Sequence, residues 1–361
     1  MPKPIIINRT IKKYNKKIKV DGDKSLSIRF ALLASQAIGK SKAYNLLKSE
    51  DVVSTINCLK KLGVKIKWDK KNNFCLINGN GLNSYVYKDN LTLNGNNSGT
   101  CVRLLTSLLI NSSKKIKIVG DKSLSKRDMK RIIDPLTEFG ATFYPKNKNT
   151  LPLYIKGSNY LTPINYLELK GSSQCKSSVM LAALLAPGET KLMCKPSRNH
   201  TELLFKYLKI PIKIKKIKNF EIIKIKGRQN FNAFNYNVPS DISSSAFFIV
   251  LTLLSKGSKL ILEKVGVNKS RTGVIEILNK MGAKINLKNK KNYKGEIVAD
   301  IHVRSAKSLK SINCPTKLNT SAIDEFLIIF LAAAKAKGIS YFKNLEELNK
   351  KESRRLDWGS K

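Results

Sequence analysis

Histidine is almost absent: His200 and His302 are the only two among 361 residues. A Ser–His–Asp hydrolase or a His-based metal centre has very little to draw on, so any acid–base work must fall to Lys, Arg, Asp and Glu. The six cysteines (Cys58, Cys75, Cys101, Cys175, Cys194, Cys314) show no CxxC or CxH spacing. Neither a zinc site nor a disulfide framework is indicated, and reduced, buried thiols are expected. Long apolar runs are missing too. The best one, residues 322–334, falls short of the roughly 18 residues that span a bilayer and carries Asp324 and Glu325. The N-terminal MPKPIIINRT lacks the apolar region of a secretory signal. These absences argue against a secreted or membrane-spanning chain and for a cytoplasmic one.

Acidic residues are scarce as well. Twenty-five face 68 basic ones, of which 57 are Lys and 11 Arg, for a net charge of +43. Phosphate neutralisation dominates nucleic-acid affinity, so a basic nucleic-acid-binding repeat protein is one reading of that excess. The lysines, however, are spread over the whole chain among many asparagines, as a coding bias would leave them. No RNP-like aromatic pattern, zinc finger or basic heptad region accompanies them.

What the chain does have is 42% hydrophobic residues, enough for substantial cores, and a length that suits two domains. It also has an internal repeat. Five segments open on Ser, Thr, Asn or Asp and run into an apolar helical stretch: DKSLSIRFALLASQAIG, NNSGTCVRLLTSLLI, GSSQCKSSVMLAALLAPG, SDISSSAFFIVLTLLSKG and NTSAIDEFLIIFLAAAKAKG. With Ser25, Ser98, Ser173, Ser244 and Asp324 as markers, the spacings are 73, 75, 71 and 80. The opening residues suit N-caps, and Gly39, Gly188, Gly257 and Gly338 suit helix ends.

Each first helix leads into a strand-like segment: KAYNLL, KIKIVG, TKLMCK, SKLILEKV or ISYFKNL. A second amphipathic helix follows, starting at SEDVV, SKRDM, SRNHTE, NKSRTG or KKESRRL. In three copies a strand then follows (KIKW, TFYP, KINL). The unit is βαβαββ-like. Six such units would need about 440 residues, so the expected architecture is α/β (α+β), with five units and an incomplete end.

The cations gather where this repeat predicts helix starts. GDKSLSxR occurs at residues 22–29 and again at 120–127, and arginines stand near four second-helix starts: Arg127, Arg198, Arg271 and Arg355. Open backbone N–H groups, the helix dipole and guanidinium forks all favour phosphate or carboxylate ligands there. Ser172-Ser173-Gln174 opens a further helix with side-chain donors. The pattern points to a small substrate with several anionic groups. Two carboxylates stand out against it. Asp324 is either the N-cap of an apolar helix or a general base. Glu352, within KKESRR, is either half of an i,i+3 ion pair or a second acid–base group.

These motifs resemble the 5-enolpyruvylshikimate-3-phosphate synthase family from about residue 22 to residue 356. GDKSLSIR is similar to that family's GSKSxSxR and NNSGTCVRLL to its GNAGTxxR loop. SSQxKS, SRNHTE, VPxDxSSxAFF and KExxR then follow in the family's order. The related UDP-N-acetylglucosamine enolpyruvyl transferases share the repeat but begin with a GAKN motif. The resemblance implies a two-domain fold of βαβαββ units closing on substrates between the domains. One domain would span residues 23–237, and the other would join 1–22 to 238–361, lacking much of its last unit.

The implied reaction transfers the enolpyruvyl group of phosphoenolpyruvate to the 5-hydroxyl of shikimate 3-phosphate and releases phosphate. No metal or organic cofactor is implied. Carried over by motif, Lys24 touches both substrates, and Ser25 and Arg29 hold shikimate 3-phosphate. Ser172, Ser173 and Gln174 bind its phosphate and ring, Gln174 also reaching phosphoenolpyruvate. Gly99 and Arg127 line the phosphoenolpyruvate site. Asp324 is the base at the 5-hydroxyl, Lys351 binds the shikimate moiety, Glu352 assists proton transfer at the methylene carbon, and Arg355 binds phosphoenolpyruvate. Glu347 falls where members place Asn or Glu, and Arg198 is a further phosphate ligand.

Partners would be these two small anionic substrates, with no nucleic acid or membrane, and the chain a monomer. The family's KE[ST]DR reads KESRR here, and Ser240 replaces a glycine. A later Arg and Lys fall in the final unit expected to be lacking, so the 361-residue polypeptide alone is expected to have little or no synthase activity. Three alternatives stay open at this stage: another enolpyruvyl transferase, an inactive truncated remnant, or the basic nucleic-acid-binding protein.

Overall fold

The chain enters a four-stranded sheet with strand β1 (Asn15–Ile18) and returns to that sheet only at residue 259. The computed structural model describes residues 11–350 and 353–359. They divide into a central unit, Asp21–Pro239 with Asn292–Glu296, and a terminal unit, Met1–Val20 with Ser240–Lys291 and Ile297–Lys361.

The central unit uses one plan three times. Its first pass is α1 (Lys24–Gln36), β2 (Ile38–Tyr44), α2 (Glu50–Lys61), β3 (Lys65–Asp69) and β4 (Phe74–Asn80). The second is β5 (Leu91–Asn94), α3 (Gly99–Ser107), β6 (Lys115–Val119), α4 (Lys130–Glu138), β7 (Thr142–Tyr144) and β8 (Leu153–Lys156). The third is β9 (Asn165–Glu168), α5 (Ser173–Ala183), β10 (Glu189–Cys194), α6 (His200–Tyr207), β11 (Ile212–Ile217) and β12 (Phe220–Lys226). The sheets run β5-β6-β8-β7 and β9-β10-β12-β11, each with one parallel pair and then antiparallel pairs.

The first pass has no leading strand of its own. That place is filled by β13 (Asn235–Asn237), which pairs parallel to β2 with Asn235 opposite Lys42 and gives the order β13-β2-β4-β3. Apolar residues alternate with lysines along KIKIV and IKIKKI, so one face of each strand turns inward and the other to solvent. Phe30 packs edge-on to Phe234 at 5.3 Å within the unit's core.

The terminal unit repeats the plan with its leading strand taken from the start of the chain. After β1 come α7 (Ile242–Leu254), β14 (Lys259–Gly266), α8 (Gly273–Lys280), β15 (Ile285–Tyr293) and β16 (Glu296–Arg304), in the sheet order β1-β14-β16-β15. Helices α9 (Asn319–Ala322), α10 (Phe326–Ala334) and α11 (Arg355–Gly359) follow. A fifth sheet is not found among the described residues. ISYFKNL, expected as a strand, makes only the single bridge Asn313–Tyr341, because the stretch beside it is irregular and offers no ladder to extend.

Helix boundaries also shift from expectation. The caps of α1, α5 and α7 are Asp23, Ser172 and Asp241, one to three residues before the markers, whereas Ser98 caps α3 as expected. Gly39 lies inside β2, with φ +104°, rather than at the end of α1. All six cysteines are buried free thiols, with no disulfide among them. No helix of the described residues is long and apolar enough to cross a membrane.

Candidate functional site

Three helix starts of the central unit are locked in place by their own side chains. Asp23 Oδ1 accepts the Leu26 N–H of α1 at 2.8 Å, Ser98 Oγ that of Cys101 in α3 at 3.2 Å, and Ser172 Oγ that of Cys175 in α5 at 3.3 Å. The Ser172 hydroxyl accepts here, so its own proton remains for donation. The three helices are stitched together close to these ends. Arg29 of α1 reaches Ser177 of α5 at 2.8 Å, and Gln174 of α5 donates from Nε2 to Thr100 of α3 at 2.9 Å. Deeper in, Ser107 and Ser178 meet at 2.6 Å across α3 and α5. The positive ends of three helix dipoles therefore sit in one neighbourhood.

The predicted residues of this unit fall into that neighbourhood in identifiable ways. Lys24 is half-buried in the first turn of α1, with Nζ 3.5 Å from Asp51 Oδ2 in the first turn of α2. Ser25 accepts from Arg29 Nη1 through its carbonyl at 3.2 Å. Ser173 and Gln174 form the first turn of α5. Gly99, buried at the start of α3, would bring a Cβ to 3.0 Å from Arg127 Nη1, so the lack of a side chain is what lets that guanidinium approach. Arg127 Nη2 donates to Asn97 Oδ1 at 3.3 Å, and Asn97 Nδ2 in turn donates to Asp121 Oδ2 at 2.7 Å. Arg198 is half-buried two residues before α6.

Sequence reasoning passed over Arg103. It is buried in α3 and its Nη1 donates to Gln174 Oε1, while Nη2 donates to the Asp128 carbonyl at 3.1 Å. Gln174 is thereby fixed at both ends of its amide. The signal is in the sequence, since Arg103 is the final letter of GTCVR, the string that resembles GTxxR.

The remaining residues lie in the terminal unit. Asp324 is not an N-cap, a correction to one of its two readings. It sits in the turn between α9 and α10, Glu325 takes the cap position, and Asp324 Oδ1 pairs with Arg355 Nη1 at 3.1 Å. Arg355 is the first residue of α11, which Asn349 holds by accepting the Leu356 N–H at 2.9 Å and donating to Asp357 at 2.8 Å. Glu347 is exposed on a 3-10 turn. Lys351 and Glu352 lie outside the described residues. Among the described residues no cluster of three or more His, Cys, Asp or Glu side chains is placed to hold a metal.

Next to Asp324, Glu325 is buried in a cluster with Arg271, Asp241 and Ser243. Arg271 donates to Ser243 Oγ at 2.7 Å and lies 3.5 Å from Asp241 Oδ1, and Ser243 donates to Glu325. Chemically, the central unit offers aligned cations, hydroxyls and helix ends for a polyanion. The terminal unit offers a carboxylate paired with an arginine.

Comparison with known proteins agrees with both the fold and the motifs. The 3-phosphoshikimate 1-carboxyvinyltransferase of Ruthia magnifica subsp. Calyptogena magnifica is 42% identical over 340 residues, which are 94% of this chain and 76% of that protein. That of Petrotoga mobilis is 38% identical over 346 residues, 95% and 78% respectively. The solved EPSP synthase of Acinetobacter baumannii superposes with a TM-score of 0.85 at 37% identity, covering 97% of this chain and 78% of that one. The enolpyruvyl transferase NikO of Streptomyces tendae, at 13% identity and a TM-score of 0.69, shares the fold over 91% of this chain and 74% of its own. A family model described as EPSP synthase (3-phosphoshikimate 1-carboxyvinyltransferase) matches residues 8–359, and the chain belongs to that family of shikimate-pathway transferases.

Proposed function

We propose that the chain transfers the enolpyruvyl group of phosphoenolpyruvate to the 5-hydroxyl of shikimate 3-phosphate, by addition to a tetrahedral intermediate followed by elimination of phosphate. The observation that carries the reading is the convergence of the α1, α3 and α5 starts, where cations and hydroxyl donors gather around helix N-termini. Both substrates are multiply anionic, and donors aimed at developing charge usually supply the largest catalytic contribution.

In this reading Lys24, Ser25, Arg29, Ser172, Ser173, Gln174 and Arg198 hold shikimate 3-phosphate. Lys24, Gly99, Gln174, Arg127 and Arg355 hold phosphoenolpyruvate. Asp324 removes the proton of the 5-hydroxyl as its oxygen attacks the enol carbon, and Glu352 serves the proton transfer at the methylene carbon. Lys351 and Glu347 complete the shikimate contacts. The elimination breaks the carbon–oxygen bond to phosphate and restores the enol double bond. No metal or organic cofactor takes part, and the chain works as a cytoplasmic monomer without a nucleic-acid partner. Its domains are residues 23–237, and 1–22 joined to 238–361.

The test is a calorimetric titration of the purified chain with shikimate 3-phosphate, run beside a phosphate-release assay. Saturable binding that needs the 3-phosphate, absent with shikimate alone, is expected. Phosphate release from phosphoenolpyruvate should require shikimate 3-phosphate and not respond to UDP-N-acetylglucosamine. Neither binding nor release with shikimate 3-phosphate would overturn the reading, and release driven by UDP-N-acetylglucosamine would replace it.

A further inference from the structure

A guanidinium that is to hold an anion must keep its charge available and its fork aimed. Arg29 is buried, with 4% of its surface exposed. Burial pushes its pKa down to about 10, against the opposing pull of the Glu202 and Asp23 carboxylates. Yet among the described residues no carboxylate is one of its hydrogen-bond partners. Nε donates to Thr201 Oγ1 at 2.8 Å, Nη2 to Ser177 Oγ at 2.8 Å, and Nη1 to the Ser25 carbonyl at 3.2 Å. The two hydroxyls also meet each other at 2.7 Å. Three of the five guanidinium N–H groups are thus committed to neutral oxygens, and their directions fix the plane of the fork.

The neighbouring positions on the same two helices do the opposite. Lys176 precedes Ser177 on α5, Glu202 follows Thr201 on α6, and these two charges meet at 2.5 Å in full burial. Two rungs therefore join α5 to α6: one in which Lys176 and Glu202 form a buried ion pair, and one in which Ser177 and Thr201 grip Arg29 through neutral oxygens. A carboxylate in the second rung would form a bidentate pair with Arg29 and compete with any bound anion. An apolar residue there would leave a buried N–H without an acceptor.

We propose that Ser177 and Thr201 are positioning residues, a neutral hydroxyl pair that fixes the Arg29 fork for shikimate 3-phosphate while leaving its charge for that ligand. The inference rests on the reading of Arg29 as a shikimate 3-phosphate ligand. It adds two residues that make no contact with the substrate themselves.

The test uses the full chain and titrates shikimate 3-phosphate into the unsubstituted protein and four variants. Thr201→Val and Ser177→Ala should each bind about tenfold more weakly, the loss of one charge-assisted hydrogen bond. Thr201→Ser should stay within about twofold. Arg29→Lys should lose at least tenfold, since an ammonium cannot reproduce the fork. A ligand-free readout runs in parallel. With 15N-labelled arginine, the Nε–H signal that disappears in Arg29→Lys should exchange slowly in the unsubstituted chain and in Thr201→Ser, and rapidly in Thr201→Val.

A merely structural role would lower the melting temperature of Thr201→Val yet leave the folded protein's affinity and the Arg29 Nε–H exchange unchanged, and that result overturns the inference. Weak binding by Arg29→Lys together with unaltered binding by Thr201→Val and Ser177→Ala overturns it as well, while sparing the reading beneath it. Unaltered binding by Arg29→Lys, or no binding by the unsubstituted chain, removes that underlying reading and the inference with it.

Discussion

At the scale of single residues, the site depends on polar groups whose partners are far away in sequence. Arg103 takes up both the Gln174 amide and the Asp128 carbonyl. Arg103→Met keeps most of the volume and removes both donors, leaving two acceptors short of a partner at a partly buried place. A loss of about 1–3 kcal/mol in urea-denaturation stability is expected, with weaker binding of shikimate 3-phosphate because Gln174 is no longer fixed. The thiols provide a second residue-scale test. Burial pushes the Cys75, Cys175 and Cys194 thiols up to about 12, so at pH 8 they are protonated as well as enclosed. Cys58 is the exception, because the Cys101 thiol donates to it and draws its pKa below the ordinary value while its own burial opposes the shift. A thiol reagent at pH 8 should find no rapidly reacting cysteine in the native chain other than Cys58, and six in denaturant. Rapid native reaction at any position other than Cys58 would contradict the burial argument.

At the scale of elements, two nearly identical strings show how far local sequence carries. GDKSLS occurs at residues 22–27 and again at 120–125, and both aspartates make the same bond: Asp23 Oδ1 accepts the Leu26 N–H at 2.8 Å and Asp121 Oδ1 the Leu124 N–H at 2.7 Å. Only the first becomes a 13-residue helix, because IRFALLAS supplies apolar residues to bury. In the second, KRDMK follows, the backbone turns extended at Arg127, and only a three-residue 3-10 turn forms before α4. Capping was therefore legible in the sequence, whereas the length of what is capped depends on packing that the string does not contain. Asp324 shows the same limit. Its place before an apolar run suited a cap, but the chain turns once more and Glu325 takes that position. The repeat and the basic helix starts were legible because their periodicity is written in residue types. The bonds from Arg103 to Gln174 and from Arg29 to Thr201 were not, since they join positions 71 and 172 residues apart. Asp23→Ala should cost about 1 kcal/mol through the loss of the α1 cap. Asp121→Ala should cost clearly less, because no long helix hangs from it. Urea midpoints of the two variants make the comparison, and equal losses would reject it.

At the scale of the whole molecule, the lysine excess has a place. Lys65 and Lys67 on β3, Lys213, Lys215 and Lys216 on β11, and Lys288, Lys290 and Lys291 on β15 are all exposed, and all three strands are sheet edges. Charged edge strands resist pairing with other chains, a role that needs no ligand. The larger consequence lies in how the two units share the chain. The terminal unit's sheet takes its leading strand from residues before the central unit begins. β1 pairs parallel to β14, from Asn15 opposite Lys259 to Ile18 opposite Leu262. The Tyr14 hydroxyl bonds Thr252 of α7 at 2.8 Å, and Tyr14, Ile18 and Val20 pack on that unit's own core. Without residues 1–20, β14 would become an unpaired edge and α7 would lose a polar and an apolar anchor. The central unit takes the leading strand of its first pass from β13 instead and owes nothing in its sheets to β1. Removing residues 1–20 should therefore speed amide exchange in β14 and α7 at least tenfold, equivalent to about 1.4 kcal/mol, while the amides of α1 and α5 keep their protection. Binding of shikimate 3-phosphate should fall much less than in Arg29→Lys. Equal loss of protection in both units would show that β1 supports the entire chain, and unchanged exchange in β14 would show that the parallel pairing contributes little to the sheet it leads.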